Sequence, residues 1–120
     1  MLEVERAERQ KFSIVVPVYY NELNIPHTLP RLQALQELLP EWELEFIFVD
    51  DGSKDRSLAM LLAAREQDAR MKVIKLSKNV GSMAAIQAGL TLATGACEGV
   101  IAADLQDPPE LFAEMIEKWQ

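Results

Sequence analysis

The chain has 120 residues, 49% of them apolar, and a net charge of −7. That length carries one domain with a core, and the apolar share excludes an extended disordered chain. The acidic balance, with no run of Lys or Arg, argues against non-specific nucleic-acid binding. An acidic domain still binds a phosphorylated ligand where a metal or backbone N–H groups offset the charge. Cys97 is the one cysteine, so an internal disulfide is excluded. It has no metal-ligand spacing around it and reads as a small side chain near a strand start, in a reducing compartment. No stretch approaches the roughly 20 apolar residues of a membrane span. Residues 1–11 are charged throughout, unlike a signal peptide, and read as a frayed or disordered lead-in.

Residues 12–18 are rich in β-branched side chains and nearly continuous in apolar character, as in a central strand buried on both faces. Pro17 has no N–H, so the strand is expected to end there or to lie beyond its pairing partners. A loop, Tyr19-Tyr20-Asn21-Glu22, leads to a first helix that begins somewhere from Asn24 to Pro30, with Thr28 as a second candidate cap. Leu32, Leu35, Leu38 and Leu39 form its apolar face, and Pro40 ends it. Residues 44–49 are a second strand, stopped by the Asp50-Asp51-Gly52-Ser53 turn. A second helix follows, capped by Ser53 or Asp55, with Leu58, Leu61, Leu62 and Ala69 on one side. Residues 72–76 are a short third strand, and Ser77-Lys78-Asn79-Val80-Gly81 the next loop. A third helix over 82–93 turns Met83, Ile86 and Leu90 inward, with Gly95 as its C′ residue. Residues 98–103 are the fourth strand. The last helix starts at Pro108, with Asp107 as cap, prolines in the first turn and Glu110 at the third position, and still runs at Gln120.

This alternation with short loops defines an α/β fold, three layers (α/β/α) around a mostly parallel, Rossmann-like sheet. Right-handed crossovers bring all four strand-to-helix loops to one carboxyl edge. Nearly every polar residue of interest lies there. A glycine-rich dinucleotide turn and a Walker A loop are both absent after the first strand.

Asp50 and Asp51 point in different directions from a strand end; one is expected to be structural and one to face a ligand. As a plain turn and cap the same residues are equally well explained. Glu22 by itself reads as a solvated carboxylate, Tyr19 and Tyr20 as rim packing or base stacking, and Lys78 as a solvated charge. Asn79 and Gly81 suit turn chemistry. His27 has no partner histidine and reads as a surface residue. Asp104 and Gln106 alternate at a strand end and are expected to share one side. Hard oxygen donors of this kind suit Mg²⁺ or Mn²⁺, which takes its other ligands from substrate phosphates and water.

Four motifs carry a family resemblance: Val15-Val16-Pro17-Val18-Tyr19-Tyr20-Asn21-Glu22, Val49-Asp50-Asp51-Gly52-Ser53, Asn79-Val80-Gly81, and Ala103-Asp104-Leu105-Gln106-Asp107-Pro108-Pro109-Glu110. In their order and spacing, residues 12–120 resemble the nucleotide-sugar-binding half of a family 2 glycosyltransferase of the GT-A fold, nearest its polyprenyl-phosphate branch. The resemblance implies that Pro17, Tyr19 or Tyr20, and Glu22 line a nucleotide pocket. It implies base and ribose contacts by Val49 and Asp51, a place for Asn79 and Gly81 in the same pocket, and Ala103 and Asp104 against the nucleotide. Asp104 with Gln106 would hold a divalent metal on the diphosphate. Two departures stand out. Ala102 occupies the first position of the family's Asp-x-Asp, removing one candidate metal carboxylate, and the Pro-x-Tyr-Asn-Glu segment is one residue longer.

What the resemblance implies is a donor-binding part of an enzyme that moves a hexose from a UDP- or GDP-sugar to a polyprenyl phosphate. The family's catalytic carboxylate is expected past Gln120, so these residues alone are expected to lack transfer activity. The chain itself is expected in the cytoplasm, and its parent at the cytoplasmic face of a membrane. A polysaccharide acceptor is the alternative within the enzyme class, and a non-catalytic nucleotide-binding module is the alternative outside it. A sheet ending at half a domain is also expected to expose an edge that pairs with a second copy.

Overall fold

A computed structural model describes residues 9–119. The elements run β1 (Gln10–Val18), α1 (Ile25–Leu38), β2 (Trp42–Asp50), α2 (Ser57–Gln67), β3 (Met71–Lys75), α3 (Ser82–Leu92), β4 (Cys97–Val100) and α4 (Leu111–Trp119). The strands form one sheet in the order β3-β2-β1-β4, and every pair is parallel.

Period-2 alternation in the two central strands sorts the core into two layers. Phe12, Ile14, Val16 and Val18 of β1, with Leu44, Phe46 and Phe48 of β2, face the larger cluster, which also takes in Leu32 and Leu35 of α1, Leu61 of α2 and Phe112 and Ile116 of α4. Val15, Ile47 and Val49 face the other way, onto Ala85 of α3. Gly89 lets α3 lie close to the sheet: a Cβ there would sit 2.4 Å from Val15 Cγ1. The three-layer α/β/α expectation holds, with α3 alone on its face.

Several local expectations are corrected. β1 begins at Gln10, paired with Trp42, so residues 10 and 11 belong to the ladder; backbone pairing does not require apolar side chains. The rest of the expected lead-in, residues 1–8, lies outside the described residues, as does Gln120. α1 runs unbroken through Pro30, and Thr28 is buried inside it rather than capping it. α2 begins later than its expected caps. Ser53 Oγ instead accepts the Tyr20 N–H, and Asp55 accepts the N–H groups of Ser57 and Glu22. Ser53 ties two loops together instead of closing a helix end, while Asp55 does both, since Ser57 opens α2. Leu38, Leu62 and Met83 are exposed, and Ala69 lies past the end of α2.

Gly95 is not a left-handed C′ residue, since the positive-φ glycines are Gly52 and Gly81. It is small because a Cβ would lie 2.7 Å from both the Lys11 carbonyl oxygen and Ser13 Oγ. α4 starts at Leu111, not Pro108. The turn before it tightens to three-residue hydrogen bonds, Leu111 N–H to the Pro108 carbonyl and Phe112 N–H to the Pro109 carbonyl. Glu110 there pairs with Arg31 rather than reaching back to Asp107.

Candidate functional site

The chain builds β1, β2 and β3 outward in one direction, then crosses to place β4 on the other side of β1. The crevice at the carboxyl ends of β1 and β4 is therefore a topological switch point, where open α/β sheets bind ligands. Pro17 explains why it is open. On β1 the Val15 carbonyl accepts Ile101 N–H on the β4 side, and the Val18 carbonyl accepts Asp51 N–H on the β2 side. Residue 17 therefore faces β4, where a proline has no N–H to donate. Pairing with β4 ends at Val15 and Val100, and the two chains separate. β4 consequently stops at Val100 instead of Ala103, and Asp104 and Gln106 sit on a loop, so strand alternation does not set their directions.

A cavity of about 240 Å³ fills this opening. One wall is Pro17, Val18, Tyr19 and Asn21; the other is the segment from Ala102 to Asp104. Asp51, Asn79 and Ser82 complete it from the β2 and β3 loops.

Asp51 organises its corner. Its carboxylate accepts Val80 N–H (2.8 Å), Gly81 N–H (3.1 Å) and Asn79 Nδ2 (2.9 Å). A carboxylate offers roughly four acceptor positions, so the clamp leaves capacity for a ligand donor. Two glycines make the clamp possible. Gly52 has φ +79°, and a Cβ there would lie 2.6 Å from Asn79 N; Gly81 has φ +95°. Both values are in the left-handed region that glycine enters without steric cost.

Asp50 lies on the other face of β2, 1% exposed, with Oδ1 lacking a hydrogen-bond partner. Burial pushes its carboxyl above the ordinary value, Ser53 opposes this through its hydroxyl and N–H, and the nearby Asp55 and Asp51 charges add to it. Asp55 moves the other way: desolvation would raise it, but hydrogen bonds from Ser57 and Glu22 carry it below the usual carboxylate range.

The loop after β4 carries Asp104. Leu105 N–H closes a turn onto the Ala102 carbonyl (3.0 Å), and Leu105 has φ +52°. Tyr20, at the mouth on the β1 side, has φ +54°. Left-handed non-glycine residues are uncommon and cluster at functional loops. The Leu105 side chain packs against the large core cluster, and Asp104 stays exposed with no hydrogen bond or ion pair among the described residues.

The structure thus brings Pro17, Tyr19, Asp51, Asn79, Ala103 and Asp104 to one cavity. Of the two tyrosines Tyr19 lines it, with Tyr20 stacked edge-on at 4.7 Å between ring centroids. Val49 is buried beneath α3, Gly81 takes part through its N–H to Asp51, and Glu22 and Gln106 are outside the lining. Asn21 and Ser82 line the cavity without having been singled out from sequence. Asn21 was visible only as part of the first motif; its Oδ1 accepts Tyr19 N–H and its Nδ2 donates to Asn24 Oδ1. Among the described residues no group of three or more His, Cys, Asp or Glu is set to hold a metal ion, and no helix is long and apolar enough to cross a membrane.

A parallel sheet with a cavity at its switch point defines an open α/β architecture with a ligand crevice at the carboxyl ends of its strands. The model for glycosyl transferase family 2 matches residues 13–120, and the chain belongs to that family. It is 50% identical over 110 residues to the uncharacterized glycosyltransferase YkcC of Bacillus subtilis, covering 92% of this chain and 34% of that protein. It is 39% identical over 110 residues to a bactoprenol glucosyl transferase of Shigella phage SfV, covering 92% and 36%. The chain therefore spans about a third of the length of these relatives. Among solved structures, mannosyltransferase PcManGT of Pyrobaculum calidifontis, in complex with GDP-Man and Mn²⁺, superposes with a TM-score of 0.78 at 20% identity, covering 91% of this chain and 32% of that one. At that identity the likeness establishes the GT-A fold.

Proposed function

We propose that this chain forms the donor site of a glycosyltransferase that passes a hexose from a UDP- or GDP-linked sugar to a polyprenyl phosphate. The observation that carries the reading is the cavity at the β1–β4 switch point, with the unpartnered Asp104 on one wall and the Asp51–Asn79 corner facing the crevice. The bactoprenol glucosyl transferase relative supports the reaction class and a polyprenyl acceptor.

The donor set fits a divalent metal held largely by the ligand. Asp104 is the one exposed carboxylate in the lining, the Ala102 side chain offers no ligand atom, and hard cations of this size readily take phosphate oxygens and water for the remaining positions. Gln106, on the same loop, is the second proposed ligand. Bound there, the metal would offset charge on the departing nucleoside diphosphate. Asp51, kept in place by three donors, is proposed to accept from the base or ribose. Tyr19 is proposed to pack against the nucleotide, with Tyr20, Glu22, Val49 and Gly81 supporting that end. The parent protein is proposed to work at the cytoplasmic face of a membrane, where a polyprenyl phosphate is reached.

Calorimetric titration of the chain with UDP and GDP, with and without Mn²⁺, tests this. Binding that strengthens with Mn²⁺, with that strengthening reduced in Asp104→Asn, is the expected result. Absence of binding to both nucleotides in every metal condition would overturn the donor reading in favour of a non-binding module.

A further inference from the structure

Helix α1 touches the Asp104 loop twice. Thr28, 2% exposed, donates its hydroxyl to the Ala103 carbonyl. Three residues on, Arg31 Nη2 donates to both carboxylate oxygens of Glu110, at 3.0 and 3.2 Å. Residues three apart share a helix face, so both contacts come from one side of α1. The start of the same helix holds the opposite wall of the cavity. The Asn24 carbonyl accepts Thr28 N–H (2.9 Å), and Asn24 Oδ1 accepts Asn21 Nδ2 (3.0 Å). α1 is thus a bracket across both walls.

Between these anchors the loop has few ways to move. Ile101 N–H is bonded to Val15, Leu105 N–H to Ala102, and the Leu105 side chain packs on the core. Asp104 makes no bond of its own among the described residues, so its direction is set by Ala103 before it and Leu105 after it. Leu105 is held by apolar packing. Ala103 is buried in the same core, and the one side-chain hydrogen bond to it among the described residues comes from Thr28.

Resting on the donor-site reading, we propose that Thr28 is a positioning residue: its hydroxyl fixes the Ala103 carbonyl and so presents the Asp104 carboxylate to the metal–diphosphate end of the ligand. Thr28 does not line the cavity. Arg31 and Glu110 form an outer latch on the same loop. Without the hydroxyl, a buried carbonyl loses its partner, and the loop gains from turning that oxygen toward water. The turn that presents Asp104 then loosens.

Thr28→Val keeps the shape and removes the donor; Thr28→Ser keeps the donor. Arg31→Gln, on the surface, tests the latch without disturbing the core. The readouts are UDP and GDP affinity with and without Mn²⁺, and amide hydrogen exchange over residues 101–110. In Thr28→Val the Mn²⁺-dependent part of the affinity should fall by roughly tenfold or more, the range for groups that orient metal ligands. The metal-free affinity should stay at the wild-type level, and exchange near Leu105 should rise. Thr28→Ser should restore all three, and Arg31→Gln should show a smaller loss in the same direction.

Unchanged Mn²⁺ dependence in a folded Thr28→Val overturns the positioning role alone, as does an equal loss with and without metal, which is what a merely structural hydroxyl would give. Should Thr28→Val fail to fold, an Arg31→Gln protein with wild-type Mn²⁺ dependence overturns it. Metal-independent binding by the wild type also overturns it while leaving the donor reading intact. A wild type that binds neither nucleotide overturns both.

Discussion

Glu45 and Asp104 are carboxylates set toward opposite ends of the same parallel sheet, and their surroundings are opposite too. Glu45 lies toward the amino end of β2 and is 4% exposed. It accepts from Ser13 Oγ (2.7 Å) and from Thr94 N–H and Oγ1 (3.0 Å each), and pairs with Lys72 Nζ at 2.7 Å and Lys11 Nζ at 4.0 Å. Desolvation would raise its carboxyl, but Lys72, Thr94 and Ser13 together bring it down to about 2. The hub fastens the α3–β4 connection to β1 and β2, and Gly95 N–H completes it on Ser13 Oγ at 2.9 Å. Asp104 has none of this. The difference separates a carboxylate whose bonds are made within the chain from one that makes none among the described residues and is proposed to meet a ligand.

Removing the closed carboxylate should have the largest effect on stability. The displacement of Glu45 from 4.5 to about 2 corresponds to at most about 3 kcal/mol, less what solvent screening takes from its half-exposed lysines. A folded-state value below the unfolded one contributes stability that is present above pH 4.5 and lost as pH falls toward about 2. Asp68, drawn to about 2 chiefly by Arg70, loses its share over a similar window. Urea unfolding of the wild type should therefore show a decline from pH 5 down to about 2. Glu45→Gln should be less stable at neutral pH and show a shallower decline. Its nucleotide affinity should not change, because the hub is remote from the cavity. A Glu45→Gln protein with wild-type stability would break the comparison at its amino end.

Asp104→Asn should do the reverse. With no partner to lose, its stability should stay within about 0.5 kcal/mol of wild type, as for surface substitutions. Its Mn²⁺-dependent nucleotide affinity should fall by roughly tenfold to a hundredfold. Asp51→Asn belongs between the two. An amide replaces one carboxylate oxygen with a donor that faces backbone N–H groups, so stability should drop by about 1–2 kcal/mol, and affinity should drop with it as the Asn79–Gly81 loop is released. A pure affinity loss in Asp51→Asn would place it with Asp104 rather than halfway.

The alternation of apolar strands and amphipathic helices made the sheet and its two layers legible, because burial on both faces writes itself into β1 and β2 residue by residue. The loops at the carboxyl edge were legible for the same reason: they are what remains between those elements. The starts of α2 and α4 were not, whereas α3 opens at Ser82 as expected. Ser53 has cap chemistry yet is drawn across to the β1 loop, while Asp55 serves both that loop and the first N–H of α2, and nothing local distinguishes the two uses. The end of β4 was hidden in another strand, since Pro17 stops the ladder that residue 101 onward would have extended. Thr28 looked like a cap because a threonine between two prolines suits one; its partner, Ala103, is 75 residues away in the chain. The site residues that could be read from sequence are those whose role is local to a turn. Thr28 shows the limit, because its role lies in a contact across the fold.

Asp50 supplies the smallest and most discriminating test, since it is buried like Glu45 yet only partly satisfied, with Ser53 as its partner and Oδ1 lacking one among the described residues. Its folded-state carboxyl is raised from 3.8 by burial, with Ser53 pulling against it. Within the window above 3.8, the folded chain holds this proton more tightly than the unfolded chain does, so stability falls as pH rises through that window. The cost of the buried charge grows as pH rises through that window. Asp50→Asn keeps the shape and removes the charge. It should raise stability at pH 7 by about 1 kcal/mol or less, and the gain should disappear once the solution is acidic enough to protonate the wild-type carboxyl in both states. Melting temperatures of both proteins at neutral pH and near pH 3 measure this directly. A variant that is less stable at pH 7 would show that the ionised carboxylate has favourable partners in the fold. Asp50 would then belong with Glu45, among the carboxylates that hold the sheet together, and the carboxyl edge would keep Asp104 as its open charge.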